Sequence, residues 1–280
     1  LFTLYLQSWK LYDSEPVDAS LGYIDIGPLR ITTSVQILKS EDSMLVKLGK
    51  GSLESFLTGG ERNLLVVHGF LSNAGAFIFN DDGTENNDDL VKSLWDYYDN
   101  IILYNYPSAL PIEENAEALV GLILNDNRFN PSFQTDIIGH SMGGLVSRYA
   151  IERLGLEPYI GNLVMLGTPN NGSSVANIVS YLQHNLYGTV AKLINGISFP
   201  SLKEIEVGSS FITDLNYAYQ NTLTTNYYVI AGDIQDGYDP VVSVSSATSI
   251  PLIDSVVMNG IDHNGLHAQS ATNGVTSQII

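Results

Sequence analysis

The chain has 280 residues, and 44% of them are apolar, which is enough to bury the core of one large domain or of two small ones. This composition excludes an intrinsically disordered protein. Lys and Arg number 12 against 30 Asp and Glu, so the formal net charge is −18. Because binding to DNA or RNA depends on clustered cations that displace counterions, this charge excludes a nucleic-acid partner.

Cysteine is absent, which rules out disulfides, thiolate metal sites and a cysteine nucleophile. No apolar run is long enough to cross a bilayer, so we predict no transmembrane segment. The chain starts at Leu1 rather than Met, which we expect of a mature or trimmed product. Few Lys with many Asn, Ser and Tyr favour a secreted or cell-envelope protein, although a cytoplasmic location stays open.

Residues 1–60 contain two strand candidates, at 31–38 and 44–48, which are separated by polar residues typical of a turn. We predict that they form an antiparallel hairpin at one edge of a larger sheet. This N-terminal segment would belong to the same domain as the residues that follow.

From residue 63 onward, short apolar runs alternate with helical periodicity, which predicts an α/β fold: a mostly parallel central sheet with helices on both faces. Runs without polar alternation are typical of parallel strands that are buried on both sides. The predicted strands are residues 64–67, 101–106, 136–138, 163–166, 227–231 and 253–258.

Three helices are predicted between these strands, at 90–98, 111–124 and from 145 to an end near Gly155. Pro111 suits the start of the second helix, and Glu113 and Glu114 suit its first turn. Its predicted buried face extends to Leu124.

Residues 173–225 make a connection far longer than a crossover needs. Apolar residues at helical spacing predict helices at 175–182, 186–194 and 211–219. We therefore predict a helical lid or cap at 173–225, inserted into a core formed by residues 61–172 and 226–280.

The most informative motif is Gly-His-Ser-Met-Gly-Gly at residues 139–144, which contains the G-x-S-x-G pattern. The pattern alone is weak in a chain rich in Gly and Ser, but here a predicted strand precedes it and a predicted helix follows it. That context is typical of a nucleophile elbow, in which a strained serine projects from the carboxyl edge of the sheet. We predict Ser141 as the nucleophile and the N–H of Met142 as one donor of an oxyanion hole.

A second oxyanion donor is expected in the loop after an earlier strand. His68, Gly69 and Phe70 follow the predicted strand at 64–67, and Gly69 lets the backbone approach a substrate closely. We predict the N–H of Phe70 as this donor. Taken alone, the motif indicates no more than a glycine turn after a buried strand.

A serine hydroxyl is a weak nucleophile until a base, usually His, takes its proton. His68 and His140 lie in the two loops above, where we interpret them as structural, and His184 lies in the insert. The chain order Ser, acid, His leaves His263 and His267, which follow the last strand. We favour His263, and we place His267 on a following helix.

The base needs a carboxylate that sets its tautomer. The loop after the strand at 227–231 carries Asp233, Asp236 and Asp239. We favour Asp239, because the Pro-Val-Val run directly after it would anchor it, and we keep Asp236 and Asp233 as alternatives. Asp254 is disfavoured because it falls within the last predicted strand.

Five motifs follow one another in the chain: His-Gly-Phe at 68–70, the elbow at 139–144, Gly-Thr-Pro-Asn-Asn-Gly-Ser at 167–173, Asp-Pro-Val-Val at 239–242 and His-Asn-Gly-Leu at 263–266. In this order they resemble lipases and carboxylesterases of the α/β-hydrolase superfamily, and the chain looks like a bacterial lipase. The resemblance covers residues 60–270 and implies the α/β-hydrolase fold, with a lid after the Gly-Thr-Pro segment. The segment before residue 60 departs from the family, as does Asn170-Asn171, where His is commoner.

The predicted function is hydrolysis of carboxylic esters, with an acyl ester or lipid as substrate, at a lipid–water interface or in solution. Ser141, Asp239 and His263 would carry it without a cofactor or metal. An acyltransferase, phospholipase or thioesterase stays open, because the pocket rather than the triad selects the acceptor and the leaving group. A hydrolase-fold protein that only binds a lipid is the alternative from another class.

The acidic segment at 80–89 resembles a calcium loop, but it lacks the D-x-[DN]-x-[DN]-G spacing and the later Glu. We interpret it as a solvated loop that leads into a helix. Asp88 and Asp89 would lie in the first turn of that helix, where the helix dipole favours negative charge.

Overall fold

The central sheet has eight strands among the residues that the computed structural model describes. These residues are 23–25, 43–49, 62–78, 86, 88–125, 129–132, 134–185, 199–218, 223–251, 253–269 and 271–280. The strands are β1 (Tyr23–Asp25), β2 (Met44–Gly49), β3 (Asn63–Val67), β4 (Asn100–Asn105), β5 (Thr135–His140), β6 (Ile160–Leu166), β7 (Asn226–Asp233) and β8 (Asp254–Asn259).

The strands lie in the order β1-β2-β4-β3-β5-β6-β7-β8. The six strands from β4 to β8 in this order run parallel to one another. They correspond to the six apolar runs of the sequence, so the predicted mostly parallel α/β sheet is confirmed. Parallel strands need long crossover connections, and each of these connections among the six strands contains at least one helix here.

The N-terminal edge of the sheet differs in direction from the rest. β2 coincides with the strand candidate at 44–48 and runs antiparallel to β4, from Met44 opposite Asn105 to Gly49 opposite Asn100. β1, which periodicity does not predict, pairs parallel with β2. The other half of the predicted hairpin, at 31–38, lies outside the described residues.

Nine α-helices are present in the described part of the chain. They are α1 (Leu90–Leu94), α2 (Ile112–Leu124), α3 (Met142–Arg153), α4 (Val175–Asn185), α5 (Pro200–Ile205), α6 (Ser210–Ala218), α7 (Val244–Ala247), α8 (Gly265–Ala268) and α9 (Thr276–Ile279). Pro111 directly precedes α2, as predicted, and Gly155 has a left-handed φ of 79° just after α3. α1 ends at Leu94, earlier than the predicted end at 98.

The apolar core lies on both faces of the sheet, because each strand sends alternate side chains to opposite sides. In β3, Leu65 and Val67 join the core that contains α2 and α3, whereas Leu64 and Val66 join a second core with α1. Every residue of β3 and β4 is buried. Burial on both faces explains why these strands are continuous apolar runs in the sequence.

Two predictions of burial are wrong. Leu124, the last residue of α2, is 48% exposed, because the buried stripe of that helix passes through Leu119 and Ile123. β8 lies at the edge of the sheet rather than in its interior, and Val256 and Val257 are 37% and 39% exposed. An edge strand has a neighbour on one side only, so an apolar run does not by itself show a central position.

Three helices of the insert are described. α4 and α6 correspond to the predicted helices at 175–182 and 211–219, and α5 starts with Pro200 in its first turn. The predicted helix at 186–194 lies outside the described residues. Across the described segments of the chain, no helix is long and apolar enough to cross a membrane.

Candidate active site

Ser141 occupies the junction between β5 and α3. Its backbone has φ 54° and ψ −126°. Residues other than glycine rarely adopt this conformation, which costs on the order of 1–3 kcal/mol. Two hydrogen bonds hold it: the N–H of Ser141 donates to the carbonyl oxygen of Leu166 at 2.8 Å, and the N–H of Gly144 donates to the carbonyl oxygen of Ser141 at 3.1 Å. This strained strand-to-helix turn has the geometry of a nucleophile elbow.

The glycines around Ser141 let α3 pack directly on the sheet. A Cβ atom at Gly143 would overlap the carbonyl oxygen of Val67, and one at Gly144 would overlap the hydroxyl of Thr168. At Gly139, a Cβ atom would lie 2.6 Å from the Cα atom of Gly144. The motif therefore needs glycine for the close approach of helix and strand as well as for the turn.

His263 and Asp239 form a buried pair beside the elbow. The Nδ1 atom of His263 lies 2.7 Å from Oδ2 of Asp239, and the two residues are 4% and 1% exposed. The other carboxylate oxygen of Asp239, Oδ1, accepts the N–H groups of Val241 and Val242 at 2.9 and 2.5 Å. Both oxygens of the Asp239 carboxylate are therefore engaged, one by the histidine ring and the other by the main chain.

Among the described residues, the three alternative acids make no contact with His263. These acids are Asp233, Asp236 and Asp254. Asp233 builds the turn itself, because its Oδ1 accepts the N–H groups of Gly237 and Tyr238 at 3.0 and 3.2 Å. Asp236 is exposed with a left-handed φ of 53°, and Asp254 is exposed at the start of β8. Of the four candidates, the structure brings Asp239 to the histidine.

The other four histidines lie in the elements or loops in which the sequence analysis placed them. His267 is in α8, as predicted, and His184 is in α4 of the insert. His68 and His140 are buried at the ends of β3 and β5.

Gly167 is a residue whose role the sequence does not reveal. It follows β6 with a left-handed φ of 56°, and a Cβ atom there would lie 3.1 Å from Nδ1 of His263 and 3.2 Å from Oδ2 of Asp239. It would also lie 2.9 Å from Leu266. A side chain at position 167 would crowd the His263–Asp239 pair and strain the left-handed backbone, so glycine suits this position, and the Gly-Thr-Pro motif is the signal that marks it.

The predicted oxyanion loop lies against the serine, since a Cβ atom at Gly69 would be 3.0 Å from Cβ of Ser141. Burial lowers the pKa of His68 to about 4, so its ring is uncharged at neutral pH. Its Nε2 accepts the N–H of Tyr106 at 3.3 Å, which leaves Nδ1 to donate to the carbonyl oxygen of Gly69 at 2.8 Å. That carbonyl shares a planar peptide unit with the N–H of Phe70, so His68 orients this N–H.

The two residues with predicted oxyanion donors are held by their neighbours. Met142 is the first residue of α3 and is fully buried. The ring of Phe70 packs edge-on against that of Phe199, with 5.5 Å between centroids. The next residue, Leu71, has a strained φ of 49°, and its N–H donates to the hydroxyl of Ser108 at 2.9 Å.

A buried ionic network lies behind the elbow and links α3 to the insert. The guanidinium of Arg148 on α3 contacts both carboxylate oxygens of Glu152, at 2.8 and 3.3 Å. It also donates to the side-chain oxygens of Asn170 and Asn216, at 3.2 and 3.0 Å. Arg148 and Asn170 are fully buried, and the side-chain amide oxygen of Asn170 accepts the hydrogen bond from Arg148.

Ser141 and His263 line one cleft together with side chains of the insert. Ile178 and Tyr181 of α4 and Ile205 of α5 contribute to its wall. The ring of Tyr181 meets that of His263 edge-on, with 6.0 Å between centroids. The insert thus borders the predicted nucleophile and the predicted base directly.

The rest of the cleft wall is mainly apolar. Phe70, Pro169, Val241 and Val242 add to it, and no Lys or Arg is found among the described residues that line the cleft. None of the described residues form a group of three or more His, Asp or Glu that would hold a metal ion. Most of the acidic segment at 80–89 lies outside the described residues.

The structure is similar to those of several hydrolases. The mature form of the Bacillus licheniformis lipase BlEst2 has 16% sequence identity and a TM-score of 0.62, covering 85% of this chain and 96% of that one. Phospholipase PlaB from Legionella pneumophila has 19% identity and a TM-score of 0.61, covering 79% of this chain and 58% of that one. A thermophilic esterase from Thermogutta terrifontis has 15% identity and a TM-score of 0.50, covering 85% and 91%.

At these identities the likeness shows the fold alone, and it confirms the α/β-hydrolase fold that the motifs predict. No curated protein matches the sequence significantly. The profile of a protein family described as a domain of unknown function (DUF7379) matches residues 42–186, just over half of the chain. The protein therefore has the α/β-hydrolase fold and belongs to the DUF7379 family.

Proposed function

We propose that the protein is a serine hydrolase that cleaves carboxylic esters, with Ser141 as nucleophile, His263 as base and Asp239 as its orienting acid. The observation that carries the proposal is the buried 2.7 Å contact between His263 and Asp239 in the cleft that Ser141 lines. A buried carboxylate on Nδ1 leaves Nε2 as the proton acceptor. The likeness to lipases and an esterase supports the same chemistry.

In the first step, Oγ of Ser141 attacks the ester carbonyl carbon while Nε2 of His263 takes its proton. The carbonyl electron pair moves to oxygen, and the N–H groups of Phe70 and Met142 stabilise the oxyanion. The pair returns as the bond to the alcohol oxygen breaks, and the alcohol leaves with the proton from His263. Water, deprotonated by His263, then attacks the acyl carbon, and the carboxylic acid leaves as Ser141 regains its proton.

The insert at 173–225 supplies the acyl-binding wall and acts as a lid over the core of residues 61–172 and 226–280. Ile178 and Ile205 support this role, because they bring apolar surface to the cleft. An apolar wall suits the acyl chain of a lipid or ester taken from a lipid–water interface. The composition agrees with secretion or attachment to the cell envelope.

Neutral esters are the favoured substrates among those that the triad accepts. Thioester hydrolysis and acyl transfer use the same groups, but a phospholipid brings a phosphate to the cleft. Without a described Lys or Arg in its lining, and with Asp239 and Asp262 beside the base, the cleft offers a phosphate no counter-charge. An anionic headgroup would meet charges of its own sign.

We expect kcat/KM to be about 10-fold or more higher for a short-chain triacylglycerol than for phosphatidylglycerol of the same acyl length. The reason is the unpaired phosphate charge in the second substrate. The measurement is release of fatty acid from mixed micelles of one detergent, with phosphatidylcholine as a zwitterionic comparison. A higher rate on phosphatidylglycerol would identify a phospholipase instead.

Reaction with a fluorophosphonate probe tests the proposal directly, because only an activated serine is phosphonylated. We expect one label, at Ser141, which Ser141→Ala removes and which the exposed control Ser249→Ala retains. The label is located by mass spectrometry, and circular dichroism verifies the fold of each variant. A wild-type protein that stays unlabelled and hydrolyses no p-nitrophenyl ester would favour the lipid-binding alternative.

A further inference from the structure

Three buried ionisable residues lie behind His263 and have no step in the proposed reaction. They are His140, His267 and Asp89, which are 5%, 7% and 0% exposed. The ring of His140 lies between the two other histidines, with centroid distances of 4.8 Å to His263 and 4.6 Å to His267. Burying ionisable groups is costly, so their arrangement calls for a physical reason.

His140 joins the nucleophile to the base. It precedes Ser141 in the chain, and its Nε2 lies 2.9 Å from the carbonyl oxygen of His263. A carbonyl oxygen only accepts, so Nε2 carries the proton and donates. Burial lowers the pKa of His140 well below its ordinary value, and the neighbouring His267 and His263 act in the same direction, so the ring is neutral. One side chain therefore ties the strand of the serine to the main chain of the base.

His267 and Asp89 form a second pair behind His140. The Nδ1 atom of His267 lies 3.5 Å from Oδ2 of Asp89. Neither atom has a hydrogen-bond partner elsewhere in the described part of the chain. Oδ1 of Asp89 is engaged, because it caps α1 by accepting the N–H of Val91 at 3.4 Å. The ring of His267 also packs against that of Phe77, with 4.9 Å between centroids.

Residues next to Asp89 form hydrogen bonds to the end of α8 and to the chain after it. The side-chain amide of Asn86 donates to the carbonyl oxygen of Ala268 at 2.7 Å. The N–H of Thr272 donates to Oδ1 of Asp88 at 2.7 Å, and the N–H of Ala271 donates to the carbonyl oxygen of Asp88 at 3.3 Å. Asn86 and Asp88 thus tie α8, which carries His267, and the chain after it to the segment before α1.

We propose that His140 is a positioning residue that holds His263 at the reacting distance from Ser141, and that the Asp89–His267 pair braces His140 from behind. The inference rests on the proposed function, since it assigns His263 as the base. It gives Asp89 a role beyond the cap of α1. It also explains why the residue before the nucleophile is a histidine rather than any side chain that fills the space.

The test compares His140→Gln with His140→Met. Gln places an N–H donor near the position of Nε2, whereas Met has a similar length without a donor. We expect His140→Met to lower kcat for a p-nitrophenyl ester on the order of 10- to 100-fold with KM unchanged, because the base is misplaced but the cleft is not. His140→Gln is expected to recover most of kcat, which a merely space-filling role would not require.

A spectroscopic readout separates this inference from the proposed function. The Nδ1 proton of His263, shared with Asp239, is expected far downfield in the proton NMR spectrum of the wild type and of His140→Gln, and broadened in His140→Met. The double variant Asp89→Asn with His267→Phe keeps the cap of α1 and the ring packing, and is expected to broaden the same signal.

If the wild type hydrolyses esters and His140→Met retains both kcat and the signal, the positioning role is wrong while the proposed function stands. If the wild type lacks activity but the signal still depends on residue 140, the proposed function fails, and what stands is that His140 holds His263 in place.

Discussion

Asp239→Asn is expected to lower kcat for ester hydrolysis by about 10⁴-fold, because it forces His263 into the wrong tautomer. Oδ1 of Asp239 accepts two backbone N–H groups, from Val241 and Val242. An Asn side chain therefore has to place its oxygen there and turn its NH₂ group toward Nδ1 of His263. Nδ1 then accepts, the proton moves to Nε2, and the base no longer has a lone pair for the proton of Ser141.

Asp236→Asn is the matched control, since it makes the same change in the same loop at an exposed position. It is expected to keep the wild-type kcat. Steady-state kinetics of both variants, with thermal melting to verify the fold, decide the matter. A folded Asp239→Asn protein with wild-type kcat would remove Asp239 from the mechanism and return Asp233 to consideration.

Arg148→Met is expected to lower the free energy of unfolding by about 3–5 kcal/mol, because it strands a buried carboxylate. Glu152, whose side chain is 2% exposed, loses the partner that it contacts at 2.8 Å. The side-chain oxygens of Asn170 and Asn216 lose their donor as well. Unpaired buried polar groups cost more than the loss of a contact between exposed charges.

Urea denaturation measures this effect, and two further variants interpret it. Arg153→Met, in the last turn of the same helix but exposed, is expected to change the stability little. The double variant Arg148→Met with Glu152→Leu removes both charges and is expected to be more stable than Arg148→Met alone. Equal stabilities for the single and double variants would show that the stranded charge is not the cause.

Much of the fold was accessible from local patterns in the sequence. The parallel strands are apolar runs with a helix between each, and the elbow at Ser141 is marked by glycines on both sides. The proximity of His263 and Asp239 could be predicted because each follows an apolar run at the same edge of the sheet. Local patterns were sufficient to predict this proximity, because the carboxyl ends of parallel strands lie at the same edge of a sheet.

Other features depend on contacts that no local pattern encodes. The hydrogen bond from His140 to the main chain of His263 joins residues 123 positions apart. The need for glycine at 167 arises only when the loops after β7 and β8 fold over it. The exposure of Val256 and Val257 depends on which strand ends the sheet, and composition does not determine that. Long-range contacts of this kind have to be read from the structure.

The edge position of β8 has a consequence for the proposed site when the protein is heated. Ser141 leaves the sheet from β5, which has strands on both sides, whereas His263 follows β8, which pairs with β7 alone. Strands with few buried side chains open locally at a lower free energy than the core. We therefore expect heat to displace His263 from the proposed site while Ser141 is still in place, so that activity would be lost through opening of one edge strand before the whole fold melts.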